Sequence, residues 1–210
     1  MNSIKERNDN VEEWLIEATS AEDILPHYQG TPVGELLAYH NLDVPYRDHR
    51  EADLLIGMCM DHRYQMRIPA NFAYVLRCAG ANLSLVEFDV SFAIAVGGVR
   101  CICVIGHDGC RMIDVVAKRE AFVSGLVNDA GWDRHLAEAH FDEHVSRYGI
   151  EDVVKKVWFD AKRLQEKYEG VLVAPLMYSL GDHNLHQIAG TNQSVSYNVC
   201  KAVAINSYDY

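Results

Sequence analysis

The sequence predicts an α/β fold with a mostly parallel central sheet flanked by helices and preceded by a helical arm. Short apolar runs of strand length recur from residue 53 onward. They are apolar at consecutive positions, the pattern of strands buried on both faces. Long segments of helical apolar spacing separate the later runs, and strands alternating with helices define a layered α/β architecture.

Residues 1–50 differ in character from the rest. The first seven, Met1-Asn2-Ser3-Ile4-Lys5-Glu6-Arg7, are polar and lack the apolar stretch of a secretory signal, so a cytoplasmic location is expected. Val11 to Ala18 has helical apolar spacing, and a second short helix is expected over 33–40. Pro26, Gly30 and Pro32 mark a loop between them. This region reads as an N-terminal helical arm lying on a core or on a neighbouring subunit.

The α/β core is expected over 51–190. Its strands are Asp53-Leu54-Leu55-Ile56-Gly57-Met58-Cys59, then 72–77, then 99–106, then 171–178. Pro175 argues against a strand in the last segment or for an edge position of it. Ser84 followed by Glu87 has capping-box spacing, which starts a helix running to about Val96 and ending at Gly97-Gly98. Further helices are expected near 112–124, 133–148 and 151–168. Residues 191–210 are polar with an apolar patch at 199–205 and read as a C-terminal arm.

The chain has 210 residues, which suits one domain with a substantial core. Its formal net charge of -11 is spread along the chain, which favours solubility and disfavours phosphate-backbone binding, so no nucleic-acid partner is expected. No apolar run approaches the roughly 20 residues of a membrane helix, so no membrane partner is expected. The six cysteines, in a chain of this expected location, read as buried thiols or metal ligands rather than disulfides.

Two segments carry the chemistry: Cys59-Met60-Asp61-His62-Arg63 and Gly106-His107-Asp108-Gly109-Cys110. Each follows directly on a predicted buried strand, and ligand sites of parallel sheets lie at the carboxyl ends of the strands. Two adjacent parallel strands would bring Cys59 close to His107 and Cys110. Thiolate and imidazole suit Zn²⁺, and three protein ligands with an open fourth position mark a catalytic site. Two thiolates cancel the charge of the ion and make it a milder Lewis acid. A carboxylate accepting a hydrogen bond from the activated water would help. Asp61 is placed for that role, with Arg63 holding it through a bidentate ion pair. An unpaired Asp61 would instead serve as a fourth ligand and switch the site off.

These motifs resemble those of the β-class carbonic anhydrases, which carry Cys-x-Asp-x-Arg and His-x-x-Cys in this order. Arg77-Cys78-Ala79-Gly80 is similar to that family's Arg-Asn-Ala-Gly segment, and Ser84-Leu85 and the following helix match in position. The resemblance covers about Asp53 to Met112 and, loosely, the strand near Tyr178. It implies zinc on Cys59, His107 and Cys110, with Asp61 and Arg63 catalytic. It implies reversible hydration of carbon dioxide to bicarbonate and a proton. It also implies a homodimer or multiple of dimers, with N-terminal helices embracing the partner and an apolar pocket at the interface. Some members hydrolyse carbon disulfide or carbonyl sulfide with the same site. The chain departs from the family at Cys78, where an asparagine is usual, and at Arg111, where a glycine is usual. The pocket glutamine often supplied by the N-terminal region has no match. These departures leave open a catalytically weakened zinc-binding relative that acts by binding bicarbonate or a partner protein.

Other residues have simpler readings. His62 and Asp108 flank the ligands as proton relays or as solvated loop residues. Cys101 and Cys103 alternate along one strand and read as core thiols. His135, His140 and His144, with Glu138, recur at helical spacing as a second metal site or as a wet helix face. Gly97-Gly98 lacks the following Lys-Ser/Thr of a phosphate loop.

Overall fold

The computed structural model describes residues 11–189. The expected C-terminal arm and the first ten residues lie outside them. A six-stranded sheet has the order β1-β6-β5-β4-β2-β3, formed by β1 (Leu15–Ile16), β2 (Leu54–Cys59), β3 (Ala73–Cys78), β4 (Cys101–His107), β5 (Leu172–Tyr178) and β6 (Leu185–Ile188). The four strands β3, β2, β4 and β5 run parallel, and β6 and β1 extend the sheet antiparallel.

The helices are α1 (Pro32–Leu42), α2 (Glu87–Ala95), α3 (Arg119–Ala130), α4 (Arg134–His144) and α5 (Val153–Lys167). Alternate strand residues divide the core into two layers. Leu54, Ile56 and Met58 of β2, with Cys101, Cys103 and Ile105 of β4, pack against Val33, Leu36 and Leu37 of α1. Leu55, Ile102, Val104 and Val173 face the other way, onto Val90 of α2 and Val157, Ala161 and Leu164 of α5. Every residue of β2, β4 and β5 is buried, which is why the sequence shows them as unbroken apolar runs. Cys101 and Cys103 lie in the same layer, as their alternation predicts. Helices α3 and α4 form a hairpin that buries Val123, Ala137 and Phe141 and is clasped by a bidentate Arg119–Asp142 pair.

Local signals explain most boundaries. Thr31 caps α1 with Pro32 in its first turn. Asp133 accepts the amides of His135 and Leu136 at the start of α4, and Asp152 that of Lys155 at the start of α5. Four expectations are corrected. Val11–Trp14 forms only a 3-10 turn, because Leu15 and Ile16 pair with β6 and Trp14 is buried edge-on to Trp158. Ser84 does not cap α2: its hydroxyl bonds Asn82, residues Leu83–Val86 form a 3-10 turn, and Glu87 pairs with Arg163 and Lys167. Pro175 lies in an interior strand, at a position where the ladder with β6 has not yet begun. Conversely β3, expected to be buried on both faces, is the sheet edge, with Tyr74 and Val75 exposed.

Candidate metal centre

Strands β2 and β4 are parallel neighbours, and each ends on a donor: Cys59 on β2, His107 on β4. Beyond His107 the chain turns through Gly109, in the left-handed region at φ 59°, and returns Cys110 to the same spot. The Sγ atoms of Cys59 and Cys110 and a ring nitrogen of His107 all lie within 4.8 Å of one another. The three residues are buried, His107 completely.

The surroundings prepare these donors. His107 Nδ1 donates to the Asp108 carbonyl at 2.8 Å, which fixes the tautomer and leaves a lone pair on Nε2. Nε2 is buried and has no hydrogen-bond partner among the described residues. The Cys59 thiol is pulled down by hydrogen bonding from Cys110 against the opposing effect of burial, with help from the Gly80 amide at 3.3 Å. Cys110 is pushed up by the same contact. Gly80 reaches the sulfur because it adopts φ 65°, and a Cβ there would meet Ile150 Cδ1 at 2.6 Å.

Asp61 pairs with Arg63 and stands outside the donor cluster. Arg63 Nε and Nη2 donate to its two oxygens at 2.8 and 2.7 Å, and the Arg63 amide adds a third bond at 3.0 Å. Arg63 Nη2 also donates to the Gly109 carbonyl at 2.9 Å, tying the Asp61 segment to the His107–Cys110 turn. These bonds, those from Arg63 first, hold the Asp61 carboxyl well below the usual carboxylate range although burial opposes them. Asp61 therefore remains an anion with both oxygens committed to Arg63.

Several residues around the centre take parts that the motifs do not reveal. Arg77 donates to the Cys59 carbonyl at 3.2 Å. Tyr64, directly after Arg63, packs edge-on to the His107 ring with centroids 5.0 Å apart. An aromatic residue adjoining a ligand motif is the signal that could have marked it. Cys78 stands opposite Cys59 in the ladder, half-buried, and burial pushes its thiol up to about 11. Arg111 is exposed, as is His62, and Asp108 accepts the Leu180 amide at 2.9 Å as a loop tie. His135, His140, His144 and Glu138 do not form a donor cluster: Glu138 pairs with Arg134 and Arg119, and His135 points to solvent.

The fold has its counterparts among solved structures of carbonic anhydrases. The β-carbonic anhydrase isoform I of Trichomonas vaginalis matches the structure with a TM-score of 0.57 at 17% identity, covering 70% of this chain and 88% of that one. A carbonic anhydrase from Glaciozyma antarctica matches with a TM-score of 0.53 at 20% identity, over 65% and 83% of the two chains. The apo form of a carbon disulfide hydrolase matches with a TM-score of 0.51 at 16% identity, over 76% and 88%. No protein-family model matches the sequence, and no curated protein matches it. At these identities the likeness establishes the fold: the chain has the fold of the β-class carbonic anhydrases, as its motifs implied.

Proposed function

We propose that the protein is a zinc-dependent enzyme that interconverts carbon dioxide and bicarbonate. The observation that carries this reading is the buried Cys59–His107–Cys110 cluster, with its partnerless Nε2, beside an ionised Asp61 that Arg63 keeps off the donors. Two sulfurs and one imidazole fit a borderline-soft divalent ion, whose charge offsets two thiolates packed side by side. Zinc bound there supplies the Lewis acidity that brings a water toward hydroxide at neutral pH. Cys59, His107 and Cys110 hold the ion. Asp61 accepts a proton-side hydrogen bond and orients the attacking oxygen, and Arg63 keeps that carboxylate ionised and fixed in place.

Assembly as a homodimer, or a multiple of dimers, follows from the same reading. Among the described residues strand β3 has no partner on its outer edge, and it exposes Tyr74 and Val75. Phe88, Phe92 and Val96 form an exposed stripe at four-residue spacing along α2 and its end, 80%, 54% and 69% exposed. Tyr74 adjoins Gly97 just beyond that helix, so edge and stripe form one apolar surface. Among the described residues no helix is long and apolar enough to cross a membrane.

The test is stopped-flow carbon dioxide hydration on protein of measured zinc content, with Cys59→Ala as control. One zinc per chain and hydration lost in the control are expected. Zinc bound without hydration would overturn the assignment, and turnover of carbon disulfide or carbonyl sulfide by the same preparation would redirect it.

A further inference from the structure

We propose that Tyr64 is a positioning residue, a wedge that opens the seam between β2 and β4 and so sets the spacing of the three donors. The proposal rests on the metal-binding reading above. Its starting point is where the ladders stop. The β2–β3 ladder runs to the last residue of both strands, Cys59 opposite Cys78. The β4–β5 ladder likewise runs to His107 opposite Tyr178. Only the seam between them ends early, at Met58 opposite Ile105, although both strands continue. The donors therefore sit just beyond the last rung of that seam.

Tyr64 packs at the end of that seam. Its hydroxyl donates to the carbonyl of Ile105, the last rung, at 3.4 Å. One side chain thus bonds the main chain of β4 at the end of the ladder and packs against Cys59 of β2. Its ring meets His107 edge-on at 5.0 Å and leans on Tyr178 at 4.8 Å. It also packs against the small apolar cluster of Cys59, Cys110 and Ile150. Tyr64 is therefore in contact with the surroundings of all three donors. The segment is pinned on both sides: Arg63 bonds Asp61 and Gly109 before it, and the Gln65 amide donates to Tyr178 Oη at 3.0 Å after it.

The physical consequence is preorganisation. A regular ladder would continue to draw the strand ends together at the ordinary inter-strand spacing. A phenol at the end of the seam holds the ends apart and fixes the plane of the imidazole, so less reorganisation is needed when a metal binds. Groups that orient a metal-binding histidine in this way typically contribute about 10–100-fold to metal affinity.

The experiment compares zinc affinity, by competition with a chromophoric chelator, and the visible spectrum of the cobalt-loaded protein for wild type, Tyr64→Phe and Tyr64→Ala. Thermal melts of the metal-free proteins check folding. Tyr64→Ala should weaken zinc binding by about 10–100-fold and shift the cobalt bands, and Tyr64→Phe, which keeps the ring and loses the hydrogen bond, should fall between it and wild type. If Tyr64→Ala fails to fold, Tyr64→Phe alone decides. Affinities within about twofold of wild type and unchanged cobalt spectra would overturn the wedge while leaving the metal site standing. A wild-type protein that takes up no zinc would overturn the metal reading itself, and the wedge with it.

Discussion

On the zinc reading proposed above, the functional logic at the scale of single residues is a division of labour between groups that would donate to the metal and groups that keep neighbours from doing so. Arg63 belongs to the second kind. Its two bonds to Asp61 occupy both carboxylate oxygens, and its bond to Gly109 locks the pair against the turn carrying Cys110. Arg63→Ala frees Asp61 to close on the metal, so hydration is expected to fall by at least about 10-fold with zinc content unchanged. Loss of zinc in that variant would show instead that Arg63 supports the ligands themselves. Asp61→Asn should likewise lose activity and keep zinc. The pH behaviour of the pair has a definite sign: Asp61 has a depressed pKa, so what it adds to stability is present above the ordinary carboxylate range and is lost only as pH falls through the depressed value. Activity changes around neutral pH therefore do not come from Asp61. Gly80 is the third test at this scale. It sits at φ 65°, where a Cβ is strained, and a Cβ there would also have to push aside the end of the Ile150 side chain, so Gly80→Ala should destabilise the fold by about 1–3 kcal/mol in denaturant titration. An unchanged midpoint would mean that the Ile150 contact relaxes freely. The clustering of Cys59, His107 and Cys110 and the Asp61–Arg63 pair could be read from the sequence because each is a distinctive residue type at a strand end. Gly80 as a donor to sulfur and Tyr64 as a wedge could not, because both depend on how three strands end relative to one another.

Among the elements, those with local causes were predictable and those with distant partners were not. Helix α5 illustrates the first case. Asp152 caps it, and Val154, Val157, Ala161 and Leu164 face the sheet at helical spacing. Asp152→Ala should cost about 1 kcal/mol and Leu164→Ala about 2–5 kcal/mol, read as shifts in thermal or denaturant midpoints. Equal effects would contradict the assignment of one to a solvent-facing cap and the other to the core. The strands β2, β4 and β5 were visible for a related reason: burial on both faces writes itself as an unbroken apolar run. β1 was hidden because its two residues sit in a stretch of helical spacing and become a strand only by pairing with β6, more than 170 positions away in sequence. The Ser84 cap failed because Asn82 captures the hydroxyl and α5 supplies Arg163 and Lys167 to Glu87, contacts that no local pattern contains.

The whole molecule poses the question of why so acidic a chain leaves an apolar surface open. With a net charge of -11, copies of the chain repel one another at long range, so association needs a short-range apolar gain. On the proposed dimer reading, the edge of β3 and the Phe88–Phe92–Val96 stripe would provide it, and a two-fold axis would count every side chain on this surface twice. Burying one large apolar side chain is worth roughly 1.5–3 kcal/mol, about 10–100-fold in a dissociation constant. Phe88→Asp with Phe92→Asp removes two such contributions per copy and adds four like charges across the axis. Sedimentation velocity on this double variant should show a monomer at concentrations where the wild type is a dimer, with circular dichroism unchanged because both rings face solvent in the single chain. Raising the salt concentration should strengthen the wild-type dimer, since it screens the repulsion and leaves the apolar contact intact. A wild type that is dimeric and a double variant that remains so would place the interface elsewhere, and a dimer that weakens with salt would mean that charge pairs, rather than this apolar face, hold the copies together.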